Sequence, residues 1–292
     1  MSLFKYELFM EVVESNSFTK AAEKLNITQS AVSHGIKSLE NELGFQLFIR
    51  DTKEIKLTKP GEEIIRYVNS LLAADRRLQN KINSINNIEA GQLTIGSFGS
   101  SSTKFLPDIV KRFNDLYPNI ELFFREGGYS DILNWLKDDV ADVAFLVEEL
   151  IDDQMYSTPY FSDEILALLP KEYGLGSNDY FDIKDVVKYP YILSDLNPHK
   201  YLQILFKRYD IKPYYKYTVN MNPTVFAMVE KGLGLTLLPE STLYKSIYDI
   251  DVLPLKQRVF RKIHLVTKKG HQRNPIVKAF FKIANELRQQ LI

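Results

Sequence analysis

Residues 17–50 read SFTKAAEKLNITQSAVSHGIKSLENELGFQLFIR. Ser17 is a good N-cap, and Phe18, Ala21, Ala22 and Leu25 behind it recur at helical spacing, so a short helix begins there. Asn26-Ile27 makes a turn and Thr28 caps again. Ala31, Val32, Ile36, Leu39 and Leu43 then give the next helix its buried stripe, and Gly44 ends it as a left-handed C-cap. Upstream, Leu8, Phe9, Val12 and Val13 form the apolar face of a first helix. Downstream, FIRDTKEIKLT reads as two short strands around a polar turn from Asp51 to Glu54. Residues 1 to about 58 are therefore three helices and a hairpin.

Two short helices joined by a three-residue turn, the first carrying alanines that let a neighbour pack closely, form a helix-turn-helix layout. The second helix presents Gln29, Ser30, Ser33, His34 and Lys37 near its N-terminal end, side chains that suit base edges and phosphates. Arg50, Lys53, Lys56 and Lys59 against Asp51 and Glu54 make the hairpin a small positive wing. Composition alone leaves a plain solvated helix equally open; the order of the pieces favours DNA.

A heptad follows. Ile64, Leu71, Leu78 and Ile85 occupy one position, and Val68, Asp75 and Ile82 the position four residues later, an a/d seam over about three repeats. Thr58 offers an N-cap and Pro60 a first-turn proline, so one helix should run from 59 to 87. A seam this narrow calls for a partner helix, with Asp75 as a polar residue that sets register. The alternative is an amphipathic helix lying on its own domain.

From residue 91 the pattern alternates. LTIGSF, IELFFRE, DVAFLV, ILALLP, YPYIL, LGLTLLP and KIHLV are strand candidates. Amphipathic stretches fall at 105–117, 130–136, 199–209, 223–231, 239–247 and 274–290. Such alternation implies α/β structure on a parallel sheet with right-handed crossovers. Its length implies two lobes, the first about 91–162 with 265–292 and the second about 163–264.

With 292 residues the chain is about twice the ~150-residue domain prior. Zero cysteines exclude disulfides, thiolate metal sites and a cysteine nucleophile. Lys plus Arg and Asp plus Glu both number 37, so bulk charge announces no polyanion partner. Acidic residues interrupt the N-terminal apolar pattern, and no later stretch approaches the ~20 apolar residues of a membrane span, so a cytoplasmic protein is expected. Charge is uneven: seven acids and no Lys or Arg lie between Asp138 and Asp153, and ten bases with one acid between Lys256 and Ile292. Solvated faces explain both runs most simply; the alternative is an oligomer or polymerase-facing surface. His34, His199, His264 and His271 are too scattered for a metal pair, no Gly-Lys phosphate loop occurs, and Gly232-Leu233-Gly234 lacks the third dinucleotide glycine. Neither a metal, a cofactor nor a catalytic constellation is expected.

The run from Phe9 to Glu62 resembles the winged helix-turn-helix of LysR-type transcriptional regulators. It carries S-F-T-K-A-A, Q-S-A-V-S, I-K-S-L-E, L-G-x-x-L-F-x-R and L-T-x-x-G in order. LPDIVKRFNDLYPNIEL, the D-V-A at Asp142 to Ala144 and VEKGLGLTLLPES resemble that family's periplasmic-binding-protein-like effector domain. The resemblance implies a DNA-binding domain over 1–58, a dimerising linker helix over 59–90 and an effector domain over 91–292. Further implications are a homodimer or homotetramer, an inverted-repeat promoter site on double-stranded DNA, and contact with RNA polymerase. The positions matching Thr28, Gln29, Ser30, Ser33, His34 and Lys37 contact DNA, with Arg50 and Lys53 of the wing on the backbone. His34-Gly35 departs from the long polar pair common there, and Gly35 weakens the helix by ~1 kcal/mol relative to Ala.

By the same resemblance a small effector sits between the lobes. Ser97, Ser100, Ser101 and Ser102 join a strand to a helix, and hydroxyls at such a helix start suit an anion. Gly127, Gly128, Ser194, Asn222 and Thr224 match the other cleft loops, and Arg125 or Lys104 is a candidate to neutralise an anionic effector. A solute-binding protein or an enzyme using the same cleft are the alternatives.

Overall fold

The computed structural model describes residues 2–50, 55–85, 90–194, 200–243 and 247–289. Its contacts group into two units: Met1–Gly91 with Lys137–Val140, and Gln92–Leu136 with Ala141–Ile292.

The first unit opens with helices α1 (Leu3–Ser15), α2 (Phe18–Lys24) and α3 (Gln29–Leu43). Strands β1 (Phe48–Arg50) and β2 (Ile55–Leu57) form an antiparallel hairpin, and helix α4 (Lys59–Ile85) follows. The caps are those the sequence offers. Ser17 Oγ accepts from Lys20 N at 3.2 Å and Thr28 Oγ1 from Ala31 N at 3.2 Å, while Gly44 takes φ +79°. Phe9, Val12, Ala21, Ala22, Val32, Ile36, Leu39 and Phe48 make the core, with the Phe48 ring 5.5 Å from Phe9 and 5.7 Å from Phe18. Glu40 ties α3 to the wing, its Oε1 accepting from Leu47 N at 2.8 Å. Ala31, expected in the buried stripe, is exposed, because it lies one residue and so 100° away from the Val32, Ile36, Leu39 row.

Two glycines have steric reasons to be there. A Cβ on Gly35 would stand 2.3 Å from Leu8 Cδ1, so this break in helix propensity lets α1 pack on α3. A Cβ on Gly61 would stand 2.5 Å from the Leu47 carbonyl oxygen, which is backbone and cannot rotate aside. Thr58 Oγ1 also caps the Gly61 N–H at 3.1 Å. Gly61→Ala should therefore destabilise the first unit by ~1–3 kcal/mol despite its better helix propensity, a loss readable by urea unfolding.

The 27 residues of α4 span about 40 Å. The expected seam divides along it. Val68 is 3% exposed and Ile64 is half-buried, both packed into the core around Phe9 and Phe48 with Leu72, so these two seam positions are engaged inside their own unit. Leu71, Leu78, Ile82 and Ile85 are exposed, and Asp75 is half-buried. The turn 137–140 belongs to this unit. Asp139, at φ +59° and 6% exposed, accepts from Ser70 Oγ at 2.7 Å and pairs with Arg77 at 3.5 Å. The acidic run is thus not simply a solvated face.

The second unit contains β3 (Gly91–Ser97), α5 (Gly99–Lys104), α6 (Leu106–Leu116), β4 (Ile120–Glu126), α7 (Tyr129–Lys137), β5 (Val143–Val147) and β6 (Met155–Leu169). It continues with β7 (Pro190–Ser194), α8 (Lys200–Arg208), β8 (Tyr214–Val219), α9 (Asn222–Glu230), β9 (Thr236–Pro239), β10 (Asp251–Pro254), β11 (Phe260–Lys268) and α10 (Pro275–Arg288). The main sheet runs β10-β6-β11-β5-β3-β4, with β9 also on β6. It is mixed, not parallel as expected: β3 and β5 are parallel, whereas β11 is antiparallel to both β5 and β6. The reason is that β6 runs out of the first lobe and β11 runs back into it. β6 pairs with β11 up to Glu164 and with β9 and β10 from Ile165 onward. The returning segment starts near 260, not 265, since Ile263 already packs in the first lobe's core with Phe113, Phe145 and Phe280. Tyr191, Leu237 and Leu255 centre the second lobe, and α9 adds a satellite of Val225, Phe226 and Val229. The helix expected over 239–247 is a 3-10 turn at Glu240–Leu243, and 244–246 lie outside the described residues, as does His199. Strands β8 and β10 had no counterpart in the sequence reading.

Candidate functional site: a recognition helix and a ligand cleft

Opposite the buried stripe of α3, Gln29, Ser30, His34 and Lys37 are exposed and Ser33 is half-exposed. Gln29, Ser33 and Lys37 stand four residues apart on one line, with Ser30 and His34 beside them. The face is already ordered: Gln29 Nε2 donates to Ser33 Oγ at 3.0 Å, and Thr28 Oγ1 and Ser30 Oγ share a hydrogen bond at 3.0 Å. Thr28 also caps the helix, so its hydroxyl has a structural duty first. Arg50 closes β1 opposite Ile55, and Lys56 is exposed on β2. Lys53 and the Arg50 side chain lie outside what the structure describes.

The second unit has a cavity of about 220 Å³ between its lobes. Ser100, Gly127, Ser194 and Asn222 line it, as do Phe98, Gly99, Glu126, Tyr129, Leu238, Pro239, Thr242 and Arg261. The other expected effector residues are not on its wall: Ser97, Ser101, Ser102, Gly128 and Thr224. Three of them serve the strand–helix turn instead. Ser97 Oγ and Ser102 Oγ bond each other at 2.7 Å, and Ser101 Oγ donates to Phe98 O at 2.8 Å while accepting from Phe98 N. Ser101 N and Ser102 N bond Phe98 O as well, leaving little of the hydroxyl-rich anion seat. Gly127 is held to glycine by Trp135, 2.7 Å from where its Cβ would be.

Arg261, not Arg125 or Lys104, is the cation on this wall. It is 2% exposed and ion-paired to Asp163, itself fully buried, directly across the β6–β11 ladder. Its guanidinium donates to Tyr129 OH at 2.6 Å and to Ser100 and Ser241 Oγ, each at 3.0 Å, and stacks 5.0 Å from the Phe98 ring centre. Ser241 completes Asp163, donating from Oγ at 2.6 Å and from N at 3.0 Å. Burial pushes the Tyr129 phenol pKa up against the opposing pull of Arg261, so it stays a neutral hydroxyl. Lys104 lies instead over Phe161, 4.4 Å from its ring centre. Sequence reading missed Arg261 and Asp163 because they are 98 residues apart and each looks like an ordinary surface charge.

A winged helix-turn-helix followed by a two-lobed ligand-binding fold defines a ligand-responsive DNA-binding regulator. Residues 3–62 match the family description "Bacterial regulatory helix-turn-helix protein, lysR family", and residues 86–289 match "LysR substrate binding domain". The chain belongs to the LysR family of transcriptional regulators. It is 28% identical over 290 residues to the uncharacterized HTH-type transcriptional regulator YvbU of Bacillus subtilis, covering 98% of this chain and 99% of that one. In fold it is similar to a full-length OxyR variant from Pseudomonas aeruginosa, with TM-score 0.75 and 20% identity, covering 99% and 95% of the two chains. It is also similar to full-length CbnR solved with its target DNA, with TM-score 0.70 and 18% identity, covering 98% and 99%. No helix among the described residues is long and apolar enough to cross a membrane.

Proposed function

We propose that residues 1–58 read an inverted-repeat promoter site, residues 59–90 pair two subunits, and residues 91–292 bind the small molecule that modulates transcription. The observation that carries the reading is the ordered polar face of α3, from Gln29 to Lys37, in a family whose members regulate transcription. Thr28, Gln29, Ser30, Ser33, His34 and Lys37 face the major groove, and Arg50 and Lys53 the phosphates. Leu71, Leu78, Ile82 and Ile85 supply the apolar contact between subunits, in a dimer or a dimer of dimers. Work in the cytoplasm beside RNA polymerase follows from the same reading, and no catalytic role is assigned.

Charge sets the effector class. Arg261 is already matched by Asp163, and Glu126 faces the same cavity with no matching cation among the described residues. An anionic effector would therefore meet no spare positive charge. The cleft suits a small neutral or amine-bearing molecule, placed by the Ser100, Ser194 and Asn222 side chains between Phe98 and Leu238. Footprinting on the chain's own upstream region, with and without such compounds, tests the whole reading. Two protected half-sites a whole number of helical turns apart are expected, with spacing altered by the effector. Gln29→Ala should weaken specific binding by about 10–100-fold, the 1–3 kcal/mol of one bidentate base contact, with an unchanged thermal midpoint. Unaltered affinity removes α3 as the reading element.

A further inference from the structure

The first lobe contains a second cavity, of about 430 Å³ against 220 Å³ for the cleft. Pro159 and Phe161 are its solvent-accessible apolar lining, Tyr160 and Ile263 being almost fully buried, and His264 and Arg288 reach it from β11 and α10. β11 is an interior strand between β5 and β6, where an imidazole is an unexpected side chain. The β6–β11 register slips at this point: Ile263 faces Phe161 but His264 faces Pro159, leaving Tyr160 as the extra residue of a bulge. Bulges of this kind re-aim side chains and recur beside functional sites.

His264 is 7% exposed, and neither ring nitrogen completes a hydrogen bond among the described residues. A buried imidazole in this state is unfavourable unless something else uses its nitrogens. Its Nε2 stands 3.4 Å from Glu148 Oε1, but Glu148 is already paired with Lys262 at 3.1 Å. Arg288, half-buried in the last turn of α10, has no carboxylate partner among the described residues. Among the described residues the cavity therefore combines an apolar lining, a cation with no carboxylate partner and an imidazole with no hydrogen bond.

We propose that this cavity binds a small monocarboxylate with an apolar body, its carboxylate received by His264 and Arg288 and its body packed on Pro159 and Phe161. A single negative charge matches Arg288, whose carboxylate partner is missing among the described residues, whereas a dianion would leave a second charge against Glu148. The charged groups acting on His264 are Glu148, Lys262 and Arg288. Burial pushes the His264 pKa down, with Lys262 and Arg288 pushing the same way and Glu148 opposing, so the free ring is neutral near pH 7. Tyr160, pushed up to about 12 by burial, stays a phenol. An arriving carboxylate favours imidazolium, so binding takes up a proton and strengthens as pH falls toward the ligand's own pKa.

The test is calorimetric titration of the full chain with phenylacetate and isovalerate, and with phenylacetamide as the neutral counterpart, at pH 6.5 and 8. Saturable binding of a carboxylate is expected, tighter at pH 6.5, with proton uptake seen by comparing buffers of different ionisation heat. Arg288→Gln, at a half-exposed helix end, should weaken it at least tenfold, and His264→Gln should remove the proton uptake. Should His264→Gln fail to fold, Arg288→Gln and the pH dependence decide. Asn222→Ala, which alters only the cleft, should leave it unchanged. The site is overturned if neither carboxylate saturates, if the amide binds equally, if Arg288→Gln has no effect, or if Asn222→Ala is the variant that abolishes binding.

Discussion

Asp163→Ala is expected to lower the stability of the second unit by about 3–5 kcal/mol, because it leaves the Arg261 guanidinium, only 2% exposed, without its carboxylate. Both side chains are almost fully buried and lie opposite each other where β6 and β11 cross between the lobes. Neutral hydroxyls from Tyr129, Ser100 and Ser241 surround the cation, but they do not replace a charge. Equilibrium urea unfolding of wild type and variant reads the loss directly. The double change Asp163→Leu with Arg261→Met should recover most of it, since removing both charges leaves neither unpaired. A single variant as stable as wild type would show that the pair contributes nothing.

Charging the exposed row of α4 should have the second large effect. Leu71→Glu together with Leu78→Glu is expected to convert the protein to monomer in sedimentation equilibrium and to reduce specific DNA affinity by about 10²–10⁴-fold, the gain that linking two binding modules provides. Leu71 is 44% exposed and Leu78 55% exposed, so the fold of the first unit should survive. Val68→Glu is the informative contrast. It places a carboxylate beside Phe9 and Phe48 and should unfold the unit outright, saying nothing about assembly. A dimer that persists in the double variant refutes the exposed row as an interface.

The helix-turn-helix was legible because its signals are local: the caps at Ser17 and Thr28, the stop at Gly44 and the stripes between them need only neighbouring residues. The heptad was legible as periodicity, but spacing does not say which apolar face is covered by the chain itself, and Ile64 and Val68 turned inward. The mixed sheet was hidden because strand direction depends on pairing between distant segments, here β6 with β11. Of the residues expected by resemblance, Ser100, Ser194 and Asn222 line the cavity, whereas Arg261 and Asp163 become visible only when the two strands are laid side by side. Ser97, Ser101 and Ser102 use their hydroxyls within the strand–helix turn, a local duty that a run of hydroxyls does not announce.

The out-and-back course of β6 and β11 also bears on how the chain folds as it leaves the ribosome. The first lobe is not a continuous stretch of sequence, because its core closes only when α10 arrives. Phe113 on α6 packs with its ring centre 5.8 Å from that of Phe280, about 170 residues later, and at synthesis rates of ~5–20 residues per second that is a wait of roughly 10–30 s. The second lobe's residues are all translated before then. The nascent first lobe therefore exposes an open apolar sheet face throughout that interval, and a ribosome stalled before codon 275 leaves a chain that chaperones must hold or proteases clear.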